Sequence, residues 1–319
     1  MKMKLLAIAL SAIGAVGTAQ AGAIGQSTLV VSNLLFLNAA GGAVLDVTAF
    51  DQLNIVDTTN LNPTNNGFAN PYTNFSVGGG PLALTTVCSP VACPAALTAP
   101  GPFGAQAFPA TVNGALGSSE LTGAPLTGLL PGNPPIKAST DAVASRVNTG
   151  TANTTSALTL ATTFSFSLMN DTTAIVDFTA LLHLLADADT LVNAQAGSTW
   201  NMKIVDRATG IAVFDWTPNG QAGGITGGTE QFDDCSLSTS VTAFGPGGHA
   251  VTDCAATSHY RATTGVLLAA NTYDLSINHQ NQANVLVLAP VPEPSSLLLT
   301  GLALAGLGIG LRRKAGAVR

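Results

Sequence analysis

Between residues 158 and 182 the apolar side chains fall on alternate positions, and no other feature of the chain constrains its fold as tightly. Leu158, Leu160, Phe164, Phe166 and Leu168 carry even numbers, Thr159, Thr163, Ser165 and Ser167 lie between them, and Val176, Phe178, Ala180 and Leu182 resume the pattern after Asn170 to Thr173. A period of two lets a strand bury one face, whereas a helix needs a repeat near 3.6. The stretch reads as a half-buried strand, a turn, and a partner strand that carries the apolar face onward.

Other parts of the chain repeat this logic. Leu29, Val31, Leu35 and Leu37 alternate with Thr28, Ser32 and other residues, and Gly41-Gly42 turns the chain into Ala43 to Phe50, a hairpin. Trp200, Met202 and Ile204 enter a turn at Asp206 to Gly210, and Ala212, Phe214 and Trp216 return before Pro218-Asn219-Gly220. A last pair comprises Thr272 to Asn278, with Tyr273, Leu275 and Ile277 inward, and Val285 to Leu288. From residue 58 to 150 the texture changes to Asn, Gly and Pro clusters with apolar islands such as Pro81 to Val87, a loop-rich insertion that should hide short strands. Leu181 to Leu191 fits either a short helix or the end of a strand. With no convincing amphipathic helix in the body, the fold class expected is all-β, an antiparallel β-sandwich of jelly-roll-like type.

The two ends of the chain are different in kind. Lys2 and Lys4 precede an apolar run from Leu5 to Val16, and Ala19-Gln20-Ala21 supplies a small-x-small cleavage pattern, so residues 1–21 read as a secretory signal peptide cut after Ala21. At the other end, Ser295 to Leu311 carries no charge. Its seventeen residues span roughly 25 Å as a helix, slightly under a bilayer's hydrocarbon core. Arg312, Arg313 and Lys314 follow, a cationic flank that places the C-terminus in the cytoplasm and the body outside. Pro292 and Pro294 forbid a regular helix across Glu293 and leave extended backbone there. A plain C-terminal anchor is the alternative reading.

The body between these ends, residues 22–289, holds five basic residues against sixteen acidic ones, a formal −11, which excludes nucleic acid as a partner. Charged residues make up 9% of the chain, and Thr, Ser, Asn and Gly take the surface role instead. Four cysteines suit an oxidising destination, and the favoured bridges are local, Cys88 with Cys93 and Cys235 with Cys254. Zinc is the rival, although the second pair lacks finger-like spacing.

The tail, with Pro292, Glu293, Pro294, the apolar helix and Arg312 to Lys314, resembles the PEP-CTERM sorting signal of Gram-negative bacteria. That resemblance implies recognition by an exosortase, a membrane-embedded cysteine protease or transpeptidase that removes the helix near the Pro-Glu-Pro. The membrane is then a partner only before processing. In the body, TTFSFSLMNDTTAIVDFTA, WNMKIVDRATGIAVFDWTPNG, DDCSLSTSV and LLAANTYDLSINHQNQANV are similar to stretches of exosortase-dependent surface proteins. This second resemblance implies export into an extracellular polysaccharide matrix and brings no enzymatic activity with it.

Catalytic signatures are missing from the sequence: no G-x-S-x-G elbow, phosphate-cradling Gly loop, HExxH pair or EF-hand loop occurs. His183, His249, His259 and His279 are scattered and read as solvated loop residues. Asp187 with Asp189, and Asp233 with Asp234, could recruit Ca²⁺ or stand as solvated acidic turns. Trp200 and Trp216 share a face with apolar neighbours and read as core. No cofactor and no metal site are expected. The function expected is a non-enzymatic surface or extracellular-matrix protein associated with exopolysaccharide; a carbohydrate-binding module and a polysaccharide-modifying enzyme are the alternatives.

Overall fold

The computed structural model describes residues 22–42, 54–63, 70–77, 82–89, 114–123, 129–146, 150–168, 170–188 and 192–288. Among these residues the chain forms strands and no α-helix: β1 (Ala23–Leu37), β2 (Asn54–Pro63), β3 (Asn70–Val77), β4 (Leu82–Ser89), β5 (Gly114–Thr122), β6 (Ile136–Arg146), β7 (Gly150–Phe166), β8 (Thr172–Ala188), β9 (Val192–Asp206), β10 (Ala212–Trp216), β11 (Ile225–Thr226), β12 (Gly228–Asp233), β13 (Thr239–Phe244), β14 (Gly248–Leu267) and β15 (Tyr273–Val287). Every pairing between them is antiparallel. The first sheet runs β12-β14-β8-β1-β6-β5-β4 and the second β11-β10-β9-β15-β7-β2-β3. Strand β9 is long enough to share one edge, pairing β10 near Met202 to Val205 and β13 near Asn193 to Ser198.

The expected hairpin of β9 and β10 is present, with Phe214 opposite Ile204 and Trp216 opposite Met202. Its turn is held by Asp206, whose Oδ1 accepts the N–H groups of Ala208 at 2.9 Å and Thr209 at 3.0 Å. Those N–H groups, that of Thr209 foremost, keep the carboxyl below its usual range. Gly210 closes the turn at φ +69°, where a side chain would be strained.

Two expectations are corrected. The strand over 158–168 and the strand over 176–182 are not partners: β7 pairs β15 and β2, β8 pairs β1 and β14, and the chain between them crosses from one sheet to the other. Residues 272–278 and 285–288 are not two strands but parts of the continuous β15. Within residues 58–150, where short strands were expected, β3 to β6 are present, and β6 pairs β1 along eleven positions. The open segment 181–191 continues as strand to Ala188. The proposed return strand Ala43 to Phe50 lies outside the described residues.

Side chains of both sheets meet in a shared core. Phe178 of β8 lies 4.7 Å, centroid to centroid, from Trp200 of β9 and 5.6 Å from Trp216 of β10, and it stacks at 4.9 Å on Tyr260 of β14. This aromatic cluster fills one end of the interior. The other end is built from small residues, Ala23, Ala142, Ala144, Ala186, Ala188, Ala194 and Ala283 among them, with Val285 and Val287. There the sheets come close: a Cβ on Gly25 would lie 2.6 Å from the Gln195 carbonyl oxygen.

Between the two apolar ends sits a buried polar layer. Ser27 Oγ lies 2.7 Å from the Gly197 carbonyl and 2.8 Å from Asn281 Oδ1, and Asn281 Nδ2 donates to Thr140 O at 2.7 Å and Thr140 Oγ1 at 2.9 Å. His279 is fully buried beside them, and neither ring nitrogen makes a well-formed hydrogen bond among the described residues. Burial pushes its pKa down to about 3, against a weaker upward pull from the Leu29 backbone.

Candidate functional site

The two ends of the chain, with Ala19, Ala21, Pro292, Glu293, Pro294, the apolar run 295–311 and Arg312 to Lys314, lie outside the described residues. So does Cys93, and with it the bridge to Cys88. Cys235 and Cys254 are joined by a disulfide with a Cα separation of 5.9 Å, which ties the segment after β12 to β14. Trp200 and Trp216 are buried, as their neighbours implied.

The acidic pair Asp233 and Asp234 does not converge. Asp187 faces His249 across the β8–β14 ladder, and Asp189 lies outside the described residues. Asp233 Oδ2 accepts the N–H groups of Asn219 at 2.7 Å and Gly220 at 2.8 Å, while Asp234 Oδ2 accepts that of His259 at 2.7 Å. Their oxygens therefore answer N–H donors on different segments. Among the described residues no group of three His, Cys, Asp or Glu is placed to hold a metal ion.

Asp233 instead belongs with Glu230 at the edge of the first sheet. Trp216 Nε1 donates to Glu230 Oε1 at 2.6 Å, and the Gly223 N–H to Glu230 Oε2 at 3.1 Å, so the two acids hold the loop 219–223. Burial is the main cause that pushes Asp233 up to about 6, with Glu230 adding to it and the two N–H groups opposing. Burial, and then Asp233 and Asp234, also push the Tyr260 hydroxyl up.

Sequence spacing scattered the histidines; register gathers them. On the outer face of the first sheet, His249 faces Asp187, and His183 faces Asp253. His259 Nε2 lies 2.8 Å from Asp177 Oδ1, and Arg261 donates to Asp177 Oδ2 at 2.9 Å. Thus three of the four histidines in the chain stand on one two-stranded ladder beside a carboxylate. A one-residue shift of either strand would send them to opposite faces, which is why only the register reveals them.

One row of this face crosses four strands: Asp141 on β6, Thr28 on β1, His183 on β8 and Asp253 on β14. His183 Nδ1 contacts Asp253 Oδ1 at 2.5 Å, and its Nε2 has no hydrogen-bond partner among the described residues. A hydroxyl, an imidazole and a carboxylate in sequence are the parts of a nucleophilic triad. The decisive bond is not made, because Thr28 is buried and its Oγ1 lies 2.7 Å from Asp141 Oδ1, its partner in place of the imidazole. Burial pushes Asp141 up to about 6, while the Thr28 hydroxyl and the charge of His183 pull the other way. The row runs from the buried Asp141 and Thr28 to the exposed Asp253, and its hydroxyl and imidazole are not joined.

Compared with known proteins, residues 290–314 match the family model for the PEP-CTERM protein-sorting motif. No curated protein and no solved structure matches the chain. The motif coincides with the tail read from Pro292, Glu293, Pro294 and the basic cluster. The chain thus carries a PEP-CTERM protein-sorting motif at residues 290–314, which supports an exosortase-targeted, exported surface protein.

Proposed function

We propose that the chain is exported behind its signal peptide, held in the inner membrane by its tail with the C-terminus cytoplasmic, cut near Glu293 by exosortase, and left at the surface or in the extracellular matrix. There it acts as a non-enzymatic protein associated with exopolysaccharide. The observation that carries this reading is the sorting motif at residues 290–314. The body supports it in two ways. A disulfide joins Cys235 and Cys254, as suits an oxidising compartment. From β6 to β9 the chain alternates between the two sheets, as the expected jelly-roll-like sandwich requires.

The test follows precursor and mature forms in the host. Wild-type protein should lose its tail only when the exosortase is present, and Glu293→Ala should accumulate as an inserted, uncut precursor. Mature protein of unchanged size in a host without exosortase would reduce the tail to a passive anchor. A carbohydrate-binding role has one observation in its favour, the aromatic ring of Phe232, 49% exposed on the outer face of the first sheet.

A further inference from the structure

We infer that the outer face of the first sheet around Phe232 is a binding platform for a neutral polysaccharide chain, with a sugar ring stacked on Phe232 and its hydroxyls held by His259, Arg261 and Asp177. The inference rests on the exopolysaccharide reading above and gives it a site. Phe232 ends a row that continues through Arg261 and Asp177. His259, Thr179, Ser32 and Lys137 form the next row on the same face. Four strand spacings separate β12 from β6, so the two rows extend for roughly 19 Å.

Phe232 is oriented before any ligand arrives. Its ring stacks on the His259 imidazole with centroids 4.8 Å apart and planes 27° from parallel. The imidazole is fixed in turn by Asp177 at Nε2, and the backbone N–H of His259 by Asp234. A ring held in this way loses little freedom on binding, so more of the contact energy appears as affinity. Beside it, Gln231 is pinned by a 2.6 Å bond from Nε2 to Thr263 Oγ1. With Nε2–H directed at Asp177, His259 Nδ1 remains an acceptor. Arg261 spends NH1 on Asp177 and has further N–H groups to offer. An apolar ring bordered by fixed donors and acceptors matches a sugar, which has a C–H face and a rim of hydroxyls.

Charge selects the class of sugar. Asp177 neutralises Arg261, Asp234 adds a negative charge nearby, and the body as a whole is at −11, so a polyuronate would be repelled. A neutral chain meets no such penalty.

The mature secreted protein can be tested by co-sedimentation with the host's own exopolysaccharide and with dextran, using alginate as the polyanionic control. Phe232→Ala should weaken binding about tenfold, the effect of one ring contact near 1.4 kcal/mol. Phe232→Tyr should restore it, and Phe244→Ala, which removes a 66% exposed ring on β13 of the other sheet, should bind as wild type. Equal binding by wild type and Phe232→Ala overturns the site and leaves the exopolysaccharide reading standing. Failure of the wild type to bind any of the polymers overturns both, and tighter binding to alginate than to dextran overturns the neutral class.

Discussion

Two buried side chains set opposite slopes in the protein's response to acid. The folded pKa of His279 lies near 3 against an ordinary 6.5, so the fold favours the neutral imidazole. Its contribution is complete above pH 6.5 and is lost as pH falls toward 3, about 5 kcal/mol in all. Asp141 has its folded pKa raised to about 6 from 3.8, so the fold favours the protonated acid. That contribution is present below pH 3.8 and is lost as pH rises through 6, about 3 kcal/mol. Asp233, also raised to about 6, acts in the same direction as Asp141. Between pH 7 and 4 the histidine therefore pulls stability down on acidification while the two carboxyls pull it up. Compared with the wild type, thermal melts should shift toward greater stability at pH 4 relative to pH 7 for His279→Leu, and toward lower stability for Asp141→Asn. A His279→Leu profile that tracks the wild type would show that the imidazole is not held neutral in the fold.

At the level of strands, the disulfide closes a weak edge. Strand β12 is the outermost of the first sheet, six residues long and broken by a bulge between Glu230 and Phe232, and Cys235 follows it directly. Changing both Cys235 and Cys254 to Ser should cost about 3 kcal/mol for a closed loop of this size, read as a lower urea midpoint. The strands themselves were mostly legible in the sequence, because alternation names a strand and its buried face. It does not name the partner. Leu158 to Leu168 and Val176 to Leu182 look the same whether the turn between them folds back in one sheet or crosses to the other. Strand β15 was read as two pieces because its inward positions turn from Ile277 to His279 and Asn281, polar residues where the pattern asks for apolar ones. The buried layer they form with Ser27 and Thr140 is what the broken pattern meant. The histidine ladder was illegible for a further reason, since neighbours such as Asp177 and His259 meet only through a register bridging some eighty residues of chain.

For the molecule as a whole, the contrast between an aromatic end and an alanine end fixes how closely the sheets can approach. Gly25→Ala tests that approach, because the added methyl would press on the Gln195 and Asn284 backbones, which cannot rotate away as a side chain can. A loss of 1–3 kcal/mol, about the usual cost of overpacking, is expected in chemical unfolding. A variant as stable as the wild type would mean that the sheets part there without penalty. The chain also enters and leaves the sandwich at this alanine end, through Ala23 of β1 and Val287 of β15. Strand β15 is bonded along its length to β9 on one side and β7 on the other. Tension drawn through the backbone at Leu288 is therefore delivered along the axis of a strand gripped on both sides. Its crosswise hydrogen bonds share such a load in shear and do not open one by one.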